Sequence, residues 1–126
     1  MHEASIVFGL LEIANGAIRE HLEKNRLTET PKVREIACQA GLLGGFEIET
    51  LKSCFELFAE KTLCEGADLT VEVEPLECVC KECGKQFSLT ERRFLCPHCG
   101  SINITFSGGH GLVIKEINLF CEEENG

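Results

Sequence analysis

The sequence predicts an α+β fold: a small β-sheet packed with two helices, carrying an inserted four-cysteine zinc-ribbon module. Three observations predict it. Two stretches step their apolar residues by three and four, three stretches alternate them by two, and two CxxC pairs interrupt the pattern. The 126 residues suit one domain with an insert, and 44% of them are hydrophobic, enough for a core.

The first helix is expected over 4–24. Ile6, Val7, Leu10, Ile13, Ala14, Ala17, Ile18 and Leu22 form the apolar stripe, while Glu12, Arg19, Glu20, Glu23 and Lys24 fill the polar side. His21 is read as a surface residue. Ile36, Cys38 and Ala40 alternate with Ala37 and Gln39, a strand ended by Gly41. Gly44 and Gly45 mark a loop. A second helix is expected over 49–62, from the apolar steps at Leu51, Cys54, Phe55, Leu57 and Phe58. Leu69, Val71 and Val73 then alternate with Thr70, Glu72 and Glu74, a strand that Pro75 ends because it cannot donate to a ladder. GLVIKEINLF returns as the last strand. Its apolar parity changes between Ile114 and Ile117, which predicts an extra residue near Lys115–Glu116. The tail CEEENG reads as a solvated end.

Charge divides the chain in the same way. The net charge is −9. Residues 1–77 hold 7 basic and 15 acidic side chains, whereas residues 78–107 hold four basic against two acidic ones and five of the nine cysteines. The predicted organisation is therefore 1–77 plus 108–126 as an α+β domain and 78–107 as a zinc-ribbon domain. An acidic chain argues against nucleic-acid binding, which needs basic surface for phosphates. No stretch approaches the ~18 apolar residues of a membrane span, and no export signal opens the chain. A cytoplasmic protein is expected, with cysteines reduced.

In CVCKECGKQFSLTERRFLCPHCGS the pairs Cys80/Cys83 and Cys96/Cys99 are separated by twelve residues, and each is followed by glycine. A tetrahedral Zn²⁺ takes four thiolates, and each CxxC turn aims two sulfurs at one ion. Iron in a rubredoxin-like electron carrier uses the same ligands and stays open at this point. So does a zinc-ribbon module binding protein or nucleic acid, on account of Lys81, Lys85, Arg92 and Arg93. Cys78, two residues before Cys80, competes as a ligand by position alone, and the paired glycine turns favour Cys80. His98 is read as a turn residue, and Cys38, Cys54, Cys64 and Cys121 are expected as buried thiols. There is no Gly-rich phosphate loop and no nucleophile–base pair, so no enzymatic activity is expected.

The chain opens with Met1, His2 and Glu3. A bulky second residue generally spares the initiator methionine, leaving its α-amine free. That amine, the His2 amide and the His2 imidazole close a five- and a six-membered chelate ring around a metal, a planar nitrogen set that suits Ni²⁺ or Cu²⁺. The Glu3 amide or carboxylate, water, His98 or His110 are candidate fourth donors. Equally, His2 could be a solvated histidine and Glu3 a carboxylate complementing a helix N-terminus.

Taken in order, MHE, the GGFE loop at 44–47, CEGADLTVE at 64–72, the CxxCG…CPxCGS ribbon and GLVIKEINL resemble the HypA/HybF family of hydrogenase nickel-incorporation proteins. The resemblance implies a nickel metallochaperone for [NiFe]-hydrogenase maturation. Nickel as cargo would be held by Met1, His2 and Glu3, with a structural zinc at Cys80, Cys83, Cys96 and Cys99. It implies the HypB GTPase and the hydrogenase large subunit as partners, with urease maturation proteins served by some relatives. GHGL, with His110, stands where many relatives have GREL.

Overall fold

The computed structural model describes residues 2–26 and 30–120, apart from the side chain of His2. Met1, the stretch 27–29 and the tail 121–126 with Cys121 lie outside the described residues. The order of elements is α1 (His2–Lys24), β1 (Lys32–Gly41), a 3-10 turn (Leu42–Gly44), α2 (Ile48–Phe58), β2 (Asp68–Glu74), β3 (Leu76–Cys80), β4 (Gln86–Leu89), β5 (Ile104–Phe106) and β6 (Leu112–Phe120). They form two three-stranded sheets, ordered β2-β1-β6 and β4-β3-β5. The fold is thus the small α+β arrangement with two helices and a four-cysteine cluster. No helix among the described residues is long and apolar enough to cross a membrane.

The chain divides into two compact units. The first is Met1–Cys38, Phe46–Val71 and Ile114–Gly126, and the second is Gln39–Gly45 and Glu72–Val113. In the first, α1 buries Val7, Leu10, Leu11, Ala14 and Ile18, and α2 buries Leu51 and Phe55. Ile13 is 66% exposed, and Ala17 is exposed as well. The buried stripe runs 7, 11, 14, 18, so Ile13 sits one residue, about 100° of rotation, off its line. Phe8 stacks at a tilt on Phe58, ring centroids 5.2 Å apart, and joins the two helices. At the end of α1 the Asn25 side-chain amide donates to the His21 carbonyl at 2.8 Å. The same carbonyl accepts the Asn25 backbone N–H at 3.1 Å, so one residue caps it twice.

Helix α2 stops at Phe58, four residues short of the sequence expectation. Thr62 supplies the reason. Its hydroxyl donates to the Ala59 carbonyl at 2.7 Å and accepts the Cys64 N–H at 3.1 Å, while Lys61 turns to φ 65°. The threonine side chain thus offers the backbone an alternative to another helical turn. The loop beyond is anchored by Cys64, whose buried thiol donates to Asn15 Oδ1 of α1 at 3.4 Å.

Across the first sheet, Glu35 of β1 accepts from Thr70 Oγ1 of β2 at 3.1 Å and from Asn118 Nδ2 of β6 at 2.8 Å, so one carboxylate fastens three strands. In β6 the exposed pair Lys115 and Glu116 interrupts the alternation, and half-buried residues resume from Ile117.

Candidate metal centre

The second unit is built on β3. Leu76, Cys78 and Cys80 alternate inward, and Glu77 and Val79 point out. β4 pairs antiparallel on one side (Leu76 with Leu89, Cys78 with Phe87) and β5 on the other (Cys78 with Phe106, Cys80 with Ile104). Leu42, Leu76 and Cys78 form a small core, packed by Leu43, Phe87, Leu89, Phe94 and Ile104. Cys78 therefore belongs to apolar packing. Its thiol donates to the Leu76 carbonyl at 3.5 Å, and burial, with the Glu77 carboxylate beside it, pushes its pKa up.

The two CxxC turns are built alike. In one, Cys80 N–H donates to the Lys85 carbonyl at 3.0 Å and Gly84 N–H to the Cys80 carbonyl at 2.8 Å. In the other, Cys96 N–H donates to Ser101 at 2.9 Å and Gly100 N–H to Cys96 at 2.8 Å. Gly84 and Gly100 have φ of 75° and 76°, the left-handed geometry that closes each turn and that side chains other than glycine resist. The first sulfur of each turn also accepts a backbone N–H, Cys83 to Cys80 Sγ and His98 to Cys96 Sγ, both at 3.4 Å.

This construction brings all four sulfurs within 4.8 Å of one another. Cys80 and Cys99 are 3.6 Å apart, and Cys83 and Cys96 3.7 Å. A tetrahedron with ~2.3 Å metal–sulfur bonds has edges of about 3.8 Å, so these two separations match a four-thiolate site and no pair exceeds that edge by more than about 1 Å. Among the described residues, these four form the one group of three or more His, Cys, Asp or Glu side chains close enough to share a metal. Cys80 and Cys96 are buried; Cys83 and Cys99 are exposed.

Ionisation follows from the same contacts. The Cys83 N–H foremost, with help from the Glu82 N–H, lowers Cys80 to about 7. Burial opposes ionisation of Cys96, but the N–H groups of Cys99 and His98 and the neighbouring thiols outweigh it and lower its pKa. For Cys99 the Ser101 N–H acts downward, yet the crowd of Cys80, Cys96 and Cys83 sulfurs, together with burial, pushes it up to about 12. Four thiols this close cannot all ionise by themselves, and a bound cation removes the conflict.

At the other candidate site, His2 is the first residue of α1. Glu3 is half-buried, and its carboxylate accepts its own backbone N–H and that of Glu47, which hold its pKa down against some desolvation. Glu47 is the residue entering α2, and that helix start has no side-chain cap of its own. The sequence reading missed this role of Glu47. The visible signal was GGFE standing directly before an apolar-periodic stretch. His98 and His110, the other candidate donors, are both exposed in the second unit.

A sequence profile described as "Hydrogenase/urease nickel incorporation, metallochaperone, hypA" matches residues 1–119. The hydrogenase maturation factor HypA of Methanocaldococcus jannaschii is 36% identical over 126 residues, covering 98% of this chain and all of the relative. That of Campylobacter jejuni is 38% identical over 119 residues, covering 93% and 97%. Among solved structures, the solution structure of the Ni metallochaperone HypA from Helicobacter pylori superposes with a TM-score of 0.56 at 25% identity, covering 95% of this chain and 98% of that one. A second, titled "Solution structure of HypA protein", gives 0.59 at 26%, covering 97% and 98%. With the four-thiol ribbon in place and the match running nearly end to end, the chain belongs to the HypA family of hydrogenase nickel-incorporation metallochaperones.

Proposed function

We propose that this protein carries Ni²⁺ on its N-terminal segment and hands it over during [NiFe]-hydrogenase maturation, without catalysing a reaction itself. The observation that carries the reading is the Met-His-Glu start lying within the matched span of a nickel-incorporation family. The α-amine of Met1 and the amide and imidazole of His2 are the proposed nitrogen donors, and Glu3 completes the proposed site. The Glu3 carboxylate, held by the Glu47 N–H, anchors the segment at the start of α2. An open nitrogen set of this kind binds modestly and exchanges quickly, which suits a carrier. Binding needs a neutral imidazole and loss of amide protons, so affinity falls on acidification through about pH 6–7.

Cys80, Cys83, Cys96 and Cys99 are the proposed ligands of a structural zinc, which supplies cross-linking of the two turns. The proposed partners are the HypB GTPase and the hydrogenase large subunit, in the cytoplasm, with urease maturation proteins a further recipient. The test is a nickel titration of wild type beside His2→Ala and beside a variant with one extra N-terminal residue. The extra residue destroys the amine–amide–imidazole rings while sparing every side chain. Both variants are expected to lose the nickel site. Unchanged affinity in both would overturn the assignment. Elemental analysis of protein purified without added metal separates the zinc reading from a rubredoxin-like iron carrier: one zinc and no iron is the expected result.

A further inference from the structure

A groove of the first unit runs between α2 and the start of β2. Lys52, Phe55 and Glu56, at helical steps of three and four, form one wall on α2, and Ala67, Asp68, Leu69 and Thr70 form the other along the start of β2. The groove holds about 210 Å³. Phe55, Ala67 and Leu69 are buried and make an apolar floor; Lys52, Glu56, Asp68 and Thr70 are exposed and make a polar rim. β2 is an end strand of its sheet, so among the described residues no strand pairs with its outer edge.

Open edges are normally blunted against self-pairing by charged side chains, lysine above all, by proline within the strand or by a bulge. DLTVEVE has no lysine and no proline, and Pro75 stands just beyond it. It carries negative charge instead: Asp68, Glu72 and Glu74 are all exposed. That charge selects the occupant. A second copy pairing antiparallel about Val71 would set Asp68 opposite Glu74, carboxylate against carboxylate, which is unfavourable. A strand bearing lysine or arginine meets opposite charge at the same positions.

We infer that the outer edge of β2, with the groove beside α2, is a strand-addition site for an extended basic segment of a partner protein. Main-chain hydrogen bonds to the free edge supply the pairing. Basic side chains face Asp68, Glu72 and Glu74, and an alternate apolar side chain drops towards Phe55 and Leu69. The site is independent of the nickel assignment.

The test uses the full zinc-loaded chain and a capped heptapeptide of alternating lysine and valine. Two control peptides replace lysine with glutamate or the central valine with proline. Residue-resolved amide exchange is the readout. Alternate amides within 68–74 are expected to exchange at least tenfold more slowly with the lysine–valine peptide and to be unaffected by either control. The double variant Asp68→Lys, Glu72→Lys, both exposed positions, is expected to reverse the preference towards the glutamate peptide. No slowing at 68–74 at saturating peptide, equal slowing by the proline-interrupted peptide, or protection only on α1 or the ribbon overturns the proposal. Slowing that grows with protein concentration in the absence of peptide overturns it too, in favour of self-pairing. Should the double variant fail to fold, the proline control decides alone.

Discussion

Replacing Gly41 with alanine tests the close approach of the 109–111 backbone to the end of β1. Gly41 has φ −74° and ψ 143°, a conformation any residue adopts, so the requirement for glycine there is purely steric. A β-carbon on it would lie 2.3 Å from the carbonyl carbon and oxygen of Gly109 and 2.6 Å from the His110 nitrogen. Ordinary contact begins at 3.4 Å, so the end of β1 and the 109–111 segment must part by about 1.1 Å. The Gly41 N–H to Gly111 carbonyl bond (2.9 Å) and the Leu43 N–H to Gly109 carbonyl bond (2.7 Å) then both stretch past hydrogen-bonding range. Gly41 is buried and Leu43 half-buried. Each lost bond costs about 1–3 kcal/mol, giving a destabilisation of about 2–6 kcal/mol. Denaturant unfolding followed through ribbon resonances, with exchange of the Gly41 and Leu43 amides, reads it directly. If Gly41→Ala unfolds at the wild-type midpoint and keeps both amides slow, the steric reasoning is refuted.

Gly9 and Gly16 give the opposite sign, since an added β-carbon on either meets nothing within 4 Å and both sit inside α1. Alanine at each should stabilise the helix by about 0.5–1 kcal/mol, seen as a raised denaturant midpoint. Cys83→Ser, or chelation, should cost the second unit its ordered state, because a structural zinc site contributes on the order of 10–16 kcal/mol. Amide dispersion across 76–106 should collapse while far-UV ellipticity from α1 persists; unaltered dispersion would mean that the apolar core of the ribbon suffices. At high pH the buried thiols of Cys38 and Cys64 are the weak points, as burial raises both from 9.0 to about 11. Their contribution is complete below pH 9 and lost as pH rises through 11, with up to about 2–3 kcal/mol for each. The double Cys→Ala variant should show a flatter stability curve between pH 9 and 11, measured by urea midpoints.

The two helices and the two strands that follow them were readable because each turns one face to a core, and periodicity records that. The ribbon strands were not. QFSL and ITF are four and three residues long, too short for alternation to register, and their order comes from pairing with β3 and from the turns that the glycines close. Cys78 was ambiguous in sequence for a related reason: it shares the parity of Cys80, and only its place among Leu42, Leu76 and Phe87 separates a packing thiol from a ligand. The four sulfur ligands were legible from spacing, whereas the grip of Glu47 on Glu3 joins positions 44 residues apart and has no local signature. The overlong second helix failed at Thr62, where a hydroxyl competes with the ladder and composition gives little warning.

The unequal setting of the sulfurs has a further consequence. Each turn sinks its first cysteine and leaves its second at the surface, so electrophiles and chelators meet Cys83 and Cys99 first. Alkylation or oxidation should therefore proceed in a fixed order, surface thiols first. Damage there would open the cage while two ligands stay behind, shielded, able to recapture an ion once the outer pair is repaired.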